Sequence, residues 1–211
     1  TNLLVIEAKP ALLLALVLQN RDIEALEEDM DQYHTIDPVT VESPTSPESP
    51  GGTEVGLRVV KAPQLWRRDY TGRGRLGMNS DTGVHRIHPA LSARWRGNFV
   101  PASQAWFGPG STPTDCDGSS SHGTHTMGTM VGLQLNTFDT IGLAYNAQWI
   151  AAGSLCAGSA GTTAAFQWAL NPDNDTATAS DVPDVINNSW GGSQGVAQCN
   201  STVVPIFNAL E

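Results

Sequence analysis

The sequence predicts an α/β fold with three layers, in which helices flank a mostly parallel β-sheet. One reason is an apolar content of 40% over 211 residues, which is enough for the buried core of one moderate domain. The other reason is a regular alternation of strand-like and helix-like segments, because such segments are joined by crossover connections that produce parallel strands. In chain order these are a strand at 76–81, a helix at 121–133, a strand at 147–154, a helix at 162–170, a strand at 184–189 and a helix at 200–210.

The first strand, at 76–81, is predicted to be weak. A parallel strand that is buried on both faces usually consists of apolar residues throughout. This one contains Gly77, Asn79 and Ser80. We therefore expect a weakened strand at this position.

The helix at 121–133 contains Gly123, Gly128 and Gly132. A backbone can approach its neighbour closely where no Cβ intervenes. We expect these glycines to let the helix lie close to the sheet. A short helix is also predicted at 63–68.

The first 54 residues differ from the rest of the chain, because they hold 11 acidic and 2 basic residues. Within them, Ile23, Leu26 and Met30 recur at helical spacing, which predicts an acidic helix with one buried face. Residues 42–53 are rich in Pro, Ser and Gly, which predicts an extended linker. The predicted organisation is an N-terminal segment at 1–41, a linker at 42–54 and a main domain at 55–211.

Charge and hydropathy argue against two classes of partner. The net charge is −10, and no Lys or Arg follows Arg96, so we do not expect binding to nucleic acid. No apolar run reaches the roughly 18 residues that cross a bilayer, so we do not expect a membrane partner either.

The three cysteines, Cys116, Cys156 and Cys199, are widely spaced. Because no Cys-x-x-Cys pair is present, a zinc ribbon or a thioredoxin-type site is not expected. Two interpretations stay open. In the first, all three are buried free thiols. In the second, a disulfide forms, either between two of these cysteines or between one of them and a cysteine beyond the end of the chain.

An aspartate and a later histidine carry the main chemical signal. Asp81 ends the first predicted strand, and active groups of open α/β sheets gather at that edge. His122 begins the following helix, from which its ring can reach the same edge. A carboxylate that accepts the Nδ1 proton fixes the tautomer of the ring, which can then take a proton from a Ser hydroxyl. By itself Asp81 would also suit the capping of a turn; the histidine favours the catalytic interpretation.

Four motifs resemble landmarks of the subtilisin-like serine proteases and occur in the order of that family. They are DTGVHRIHPAL at 81–91, SHGTHTMGTMVG at 121–132, IGLAYNAQWIAA at 141–152 and PDVINNSWGG at 183–192. Their spelling is similar to the bacillopeptidase F branch of the family. The resemblance covers roughly residues 55–211.

The resemblance implies a secreted serine-type endopeptidase that requires no cofactor and hydrolyses peptide bonds through an acyl-enzyme. Asp81 and His122 are implied to be two members of its catalytic triad. Ser189, Trp190 and Gly191 are implied to line the substrate cleft, where a strand edge pairs with an extended peptide or protein substrate. For this segment, a plain strand end followed by a glycine turn is the alternative.

The segment at 21–38 resembles the last helix and strand of an inhibitor-type propeptide. This implies a zymogen in which the chain's own propeptide, within residues 1–41, is a partner of the main domain. The linker is the expected place of cleavage. A generic acidic amphipathic helix is the alternative interpretation.

One departure from the family concerns the nucleophile. No Gly-Thr-Ser phrase follows His122, and the family's Ala-Gly-Asn phrase with its oxyanion-stabilising Asn does not occur either. We expect a sheet that is incomplete at its carboxyl end and a chain that does not itself cleave peptides. A non-catalytic relic that binds extended peptides or its own propeptide is the alternative function.

Metal binding is a further expectation. Asp115 and Asp117 offer hard oxygen donors, so Ca²⁺ is possible there, although a solvated acidic loop is the favoured interpretation. A small metal-binding module that combines these aspartates with His122 and His125 is a third hypothesis. We interpret His125 as a packing residue and assign no metal ligand.

Overall fold

The computed structural model describes residues 9–19, 22–23, 33–35, 53–118 and 120–192. Its helices are α1 (Pro10–Gln19), α2 (Val55–Val59), α3 (Ala62–Trp66), α4 (His122–Val131) and α5 (Gly158–Ala169). Its strands are β1 (Tyr33–Thr35), β2 (Leu76–Ser80), β3 (Trp106–Phe107), β4 (Leu133–Gln134), β5 (Asp139–Thr140), β6 (Gln148–Ala152), β7 (Val185–Asn187) and β8 (Trp190–Gly192). Single turns of 3₁₀-helix lie at Ser92–Arg94, Arg96–Asn98, Ala102–Gln104 and Ser154–Ala157.

Four strands form the main sheet in the order β3-β6-β2-β7, and every neighbouring pair in it is parallel. The central strand β2 pairs with β6 along its whole length and with β7 over residues 77–79. All of β2 is buried, so both of its faces are covered. The predicted α/β fold, with a mostly parallel sheet and flanking helices, is confirmed.

The prediction that β2 is weak is wrong, because its polar side chain Asn79 finds partners on both neighbouring elements. Its Nδ2 donates to the carbonyl of Gly123 and to Oγ1 of Thr126, each at 2.9 Å. Its Oδ1 accepts from Nδ2 of Asn187 at 2.8 Å. A buried amide that is hydrogen-bonded in this way does not carry the cost of an unpaired polar group. Asn79 therefore connects β2 to α4 and to β7.

The three glycines in the helix predicted at 121–133 behave differently from one another. A Cβ at Gly123 would lie 2.1 Å from the carbonyl oxygen of Gly83, so only glycine lets α4 meet the loop after β2. The prediction holds for this residue. It is wrong for Gly128, where a Cβ would meet nothing within 4 Å. At Gly132, just after α4, a Cβ would lie 2.6 Å from the carbonyl oxygen of Gly128 and 3.1 Å from the Cβ of Ile141, in the chain leading to β6.

The hydrophobic core lies against both faces of β2 and β6, and Trp149 of β6 is its largest fully buried side chain. Its indole N–H donates to the carbonyl of Leu91 at 2.9 Å. Its ring lies 6.3 Å from that of Trp95. Because a buried indole with a satisfied N–H contributes both apolar area and a hydrogen bond, Trp149 anchors the loops that follow β2 to the sheet.

Most of the predicted elements are present, with shorter bounds except for α5, which begins four residues earlier than predicted. The three predicted strands correspond to β2, β6 and β7, and the helices predicted at 121–133 and 162–170 correspond to α4 and α5. The helix predicted at 63–68 is α3, and α2 before it was not predicted. The helix predicted at 200–210, most of the acidic helix and residues 42–52 of the linker lie outside the described residues.

A separate two-stranded sheet joins the N-terminal segment to the last described strand of the main domain. In it β1 pairs antiparallel with β8, and Tyr33 lies opposite Gly192, His34 opposite Gly191 and Thr35 opposite Trp190. The strand β1 belongs to the segment that resembles a propeptide. The backbone edge of β8 is therefore paired with an extended segment of the same chain.

Helix α1 is apolar but short. Its sequence, PALLLALVLQ, contains no charged residue, and Leu12 and Leu18 are exposed. Spanning a bilayer takes about 20 residues of helix. Within the described ranges, no helix combines the length and the apolar character that a membrane crossing requires.

Candidate active site

Asp81 lies one residue beyond the carboxyl end of β2 and is fully buried. Its backbone N–H donates to the carbonyl of Ala152 in β6 at 3.0 Å, and its own carbonyl accepts from the N–H of Leu155 at 3.2 Å. The main chain on either side of the carboxylate is thus fixed by the sheet. The side chain is located at the carboxyl edge, where the sequence places it.

His122, the first residue of α4, meets this carboxylate. Its Nδ1 lies 2.8 Å from Oδ1 of Asp81, and both side chains are buried. The same Oδ1 accepts from the N–H of Thr82 at 2.7 Å, and Oδ2 accepts from Oγ1 of Thr126 at 3.3 Å. The structure therefore brings together the two residues that were predicted to act as a pair.

The geometry determines what this pair can do chemically. A carboxylate at Nδ1 holds the ring proton on that nitrogen, which makes Nε2 the basic nitrogen of the neutral imidazole. If Nε2 takes a proton, the imidazolium lies beside a buried anion, where attraction between opposite charges is stronger than in water. This is the arrangement of a general base with an orienting acid.

Asp115 holds the start of α4 in place. Ser121 precedes the helix with a positive φ of 49° and makes no capping bond through its side chain. Instead, Oδ2 of Asp115 accepts from the N–H of Thr124 at 2.9 Å and from its Oγ1 at 2.6 Å. Oδ1 of Asp115 accepts from Oγ1 of Thr82 at 2.8 Å. The same Oγ1 of Thr82 accepts from the N–H of Gly123 at 2.9 Å. One carboxylate therefore connects the loop after β2 to the first turn of α4, at the helix end that favours an anion.

The favoured interpretation of residues 115–117 as a solvated acidic loop is wrong for Asp115, which is buried. Asp117 is half-buried, and its Oδ2 accepts from the N–H of His122 at 3.3 Å. Sequence reasoning missed this anchoring role. Serine is a common N-cap residue, so the sequence suggests that Ser121 itself caps α4 and gives no reason to look for a more distant carboxylate.

A disulfide reinforces the same region. Cys116 is bonded to Cys156, which joins the loop before α4 to the 3₁₀ turn after β6. The N–H of Cys116 also donates to the carbonyl of Thr82 at 2.8 Å. Of the two open interpretations, a disulfide between two of the three cysteines is therefore correct. Cys199 lies outside the described residues.

The predicted substrate-binding segment lies next to the end of β2. The indole N–H of Trp190 donates to the carbonyl of Ser80 at 2.7 Å, one residue before Asp81. Oγ of Ser189 accepts from Nδ2 of Asn187 at 2.9 Å. Gly191 lies in the centre of β8, whose edge carries β1. The role of these three residues in substrate binding stays a prediction.

His125 is exposed, so the interpretation of this residue as a packing residue is wrong. His122 is directed to Asp81, whereas His125, three residues later, lies at the surface. Across the described ranges, no three His, Cys, Asp or Glu side chains are grouped to hold a metal ion. The metal-module hypothesis thus gains no support, and Ca²⁺ at Asp115 and Asp117 stays a prediction.

Comparison with known proteins identifies the family. The model of the subtilase family matches residues 80–209, a range that contains the Asp81–His122 pair. The chain belongs to the subtilase family. It is thus homologous to subtilase serine proteases.

Two proteases of Bacillus subtilis (strain 168) are similar to this subtilase chain. Bacillopeptidase F is 32% identical over 172 residues, which cover 76% of this chain and 12% of that protein. Subtilisin E is 32% identical over 148 residues, which cover 70% of this chain and 35% of that protein. Among solved structures, a protease from Pseudoalteromonas arctica is 26% identical with a TM-score of 0.49, covering 71% of this chain and 49% of that one. This chain therefore spans less than half the length of each of these relatives.

Proposed function

We propose that this subtilase chain carries the acid and the base of a secreted serine endopeptidase that cleaves extended peptides and proteins. Asp81 is the orienting acid and His122 the base. The observation that carries the proposal is the 2.8 Å contact between Nδ1 and Oδ1 of two buried side chains. In such a centre the histidine takes the proton of a Ser hydroxyl during attack and later gives it to the leaving amine.

The 211 residues by themselves are proposed not to cleave peptides. They contain neither the Gly-Thr-Ser phrase of the nucleophile nor the Ala-Gly-Asn phrase of the oxyanion site. A triad without its nucleophile retains only a small residual catalysis, and the loss of an oxyanion donor reduces the rate further. No cofactor enters this proposal.

A fluorophosphonate probe tests the proposal on the product of the whole reading frame that encodes these residues. We expect the complete product to be labelled and the 211-residue chain to stay unlabelled. The variant His122→Ala should abolish labelling of the complete product, whereas the matched variant His125→Ala, three residues away on the surface, should label like the wild type. A complete product that never reacts with the probe argues for the non-catalytic relic.

The pairing of β1 with β8 favours a second role, the binding of the chain's own propeptide. An extended segment within residues 1–41 lies on the strand that contains Trp190 and Gly191. Pairing through the backbone suits an extended segment of the propeptide and of a substrate alike, because the N–H and C=O groups of the strand edge bind other main-chain groups whatever the side chains are. A synthetic peptide of residues 1–41 should inhibit the mature protease competitively; inhibition that leaves KM unchanged would contradict binding at this strand.

A further inference from the structure

Thr126 lies on α4 four residues after His122, and residues at this spacing lie on the same face of a helix. Its Oγ1 lies 3.3 Å from Oδ2 of Asp81, whereas Nδ1 of His122 lies 2.8 Å from Oδ1. Among the described residues, Thr126 is the hydrogen-bond partner of Oδ2. Two successive turns of one helix therefore meet the two oxygens of the buried carboxylate.

A donor at Oδ2 matters because Asp81 needs more than packing to hold its orientation. The last torsion of an aspartate side chain is broad and roughly two-fold, so rotation about it can exchange the two oxygens. Asp81 is 0% exposed, and a buried carboxylate oxygen without a donor is strongly unfavourable. A hydroxyl that donates to Oδ2 therefore fixes the plane of the carboxylate that faces His122.

The hydroxyl of Thr126 carries a single proton and has two acceptors within reach. One is Oδ2 of Asp81, and the other is the carbonyl of Gly123 at 3.1 Å, three residues earlier in the same helix. Threonine side chains in helices often donate to a carbonyl of the preceding turn, which is a purely local bond. The direction of this proton decides whether Thr126 acts on the helix or on the acid.

Asn79 of the central strand β2 determines that direction. The carbonyl oxygen of Gly123 can only accept, so the Asn79 atom 2.9 Å from it is the donor Nδ2. The second N–H of the same Nδ2 donates to Oγ1 of Thr126 at 2.9 Å. The carbonyl of Gly123 thus already has a donor. The Thr126 proton is directed to Asp81, because a bond to an ionised acceptor is stronger than one to a neutral carbonyl.

The amide of Asn79 is itself held in this orientation by β7. Its Oδ1 accepts from Nδ2 of Asn187 at 2.8 Å, and the same Nδ2 donates to Oγ of Ser189 at 2.9 Å. If the Asn79 amide turned over, its oxygen would face the carbonyl of Gly123 and its nitrogen would face a donor. Both contacts would be repulsive, so one orientation is strongly favoured.

We propose that Thr126 and Asn79 are positioning residues, in which Asn79 directs the hydroxyl proton of Thr126 to Asp81 and this bond fixes the carboxylate that orients His122. Both residues act through Asp81. The catalytic consequence rests on the proposed proteolytic function, whereas the hydrogen bond itself does not. Without the bond, the carboxylate turns more freely and holds the Nδ1 proton less firmly. The rate of the chemical step should then fall while substrate binding stays the same.

Steady-state kinetics of the complete product of the reading frame test this role. Thr126→Val should lower kcat about tenfold and leave KM within about twofold, because it removes one hydrogen bond to a charged group. Thr126→Ser keeps the hydroxyl and should recover most of the rate. Thr129→Val, the matched control, removes an exposed hydroxyl of the same helix that donates to the carbonyl of His125, and should behave as the wild type.

Counting active sites with the fluorophosphonate probe separates positioning from stability. A role in folding alone would reduce the number of labelled sites and leave kcat per site unchanged. Wild-type kcat per site in Thr126→Val, or a serine variant as slow as the valine variant, overturns the proposal.

A double-mutant cycle tests the part assigned to Asn79. Asn79→Ala frees the carbonyl of Gly123, to which the Thr126 proton can then turn, so kcat per site should fall by a similar factor. Because both residues act through one bond, the double variant with Thr126→Val should be no slower than the slower single variant. Two losses that multiply would contradict the action of Asn79 through Thr126.

Two measurements on the 211-residue chain require no peptide cleavage. Neutron diffraction of the deuterated wild type should show the Thr126 hydroxyl directed at Oδ2 of Asp81, and a deuterium directed at the carbonyl of Gly123 overturns the proposal. In ¹H NMR, the Nδ1 proton of His122 should shift or broaden in Thr126→Val but not in Thr126→Ser or Thr129→Val. An identical signal in all three refutes positioning by Thr126. A complete product without protease activity would refute the proposed function alone, since these two measurements decide the hydrogen bond separately.

Discussion

Two regions at the same edge of the sheet are held together in opposite ways. The first, the dyad corner, consists of Asp81, Thr82, Asp115, His122 and Thr124. In it, the buried carboxylates of Asp81 and Asp115 form hydrogen bonds of 2.6–2.9 Å, and a disulfide closes the loop beside them. The second, the β1–β8 ribbon, pairs three residues with three others through the backbone.

This difference indicates that the side chains of the dyad corner must keep fixed positions, whereas the segment paired with β8 can be replaced by another. The dyad corner depends on particular side chains in particular positions, so few substitutions preserve it. The ribbon depends on N–H and C=O groups that every extended peptide possesses except at proline. If the proposed binding of peptides at β8 is correct, one extended segment can replace another there while the pair of Asp81 and His122 stays in place.

The largest expected effect comes from breaking the covalent link of the dyad corner. Replacing both Cys116 and Cys156 by Ser should lower the free energy of unfolding by about 4 kcal/mol, because the bond closes a loop with a sequence separation of 40. Urea denaturation measures the change, and Cys199→Ser is the control that leaves this bridge intact. A loss below about 1 kcal/mol would contradict the prediction and show that noncovalent contacts stabilise the dyad corner without the disulfide.

Removal of the Asp115 carboxylate should have the next largest effect. Asp115→Ala leaves the hydroxyls of Thr82 and Thr124 without their acceptor, and we expect a loss of about 2–3 kcal/mol in the free energy of unfolding. Asp115→Asn keeps one oxygen acceptor and should lose less. The Nδ1 proton of His122, followed by ¹H NMR, should broaden or shift in the alanine variant. An unchanged signal would mean that Asp115 does not position the histidine.

The ribbon should open without unfolding the rest of the protein. Successive N–H groups of a strand point to opposite sides, so replacing both Tyr33 and His34 by Pro removes at least one donor that faces β8. Amide exchange at Gly191 and Gly192 should then accelerate at least about tenfold, with global stability changed by less than about 1 kcal/mol. The double alanine variant at the same positions retains its N–H groups and should exchange like the wild type. Global destabilisation of the proline variant would contradict the separation of the two regions.

The smallest effect is expected at Asp184, where a carboxylate makes similar contacts in an exposed setting. The N–H of Leu76, and then Arg75, lower the pKa of Asp184 below its ordinary value. Its contribution to stability is therefore present above the unfolded-state pKa of about 3.9 and is lost as the pH falls through the lower folded-state pKa. Urea denaturation of Asp184→Asn should show a loss of less than about 1 kcal/mol at pH 7 that shrinks below about pH 3.9. Arg75→Gln, which leaves the Leu76 bond, should retain most of this pH dependence.

Particular residues show how far the sequence predicts this molecule. Asp81 and His122 were identifiable because a strand end and a helix start project their side chains toward one sheet edge. Asp115 was not, because its partners are Thr82 on one side and Thr124 on the other, and no local spacing indicates that these three meet. The cysteine pairing stayed open for the same reason, since a disulfide depends on distances in space.

For Asn79 the sequence led to a wrong prediction and not to a missed residue. An amide in a central strand is unfavourable when only its own strand is considered. Its three partners come from α4 and β7, so the sign of its contribution depends on elements that are distant in the chain.

The sequence by itself determined the class of fold, the order of β2, α4, β6, α5 and β7, and which aspartate and histidine form a pair. These follow from local periodicity and from residue types at the ends of elements, which neighbouring residues specify. Only the tertiary structure decided the anchoring by Asp115, the Cys116–Cys156 bond and the satisfied amide of Asn79. Each of these depends on whether a donor, an acceptor or a thiol from a distant segment lies within about 3 Å, and such proximity arises only when the chain packs.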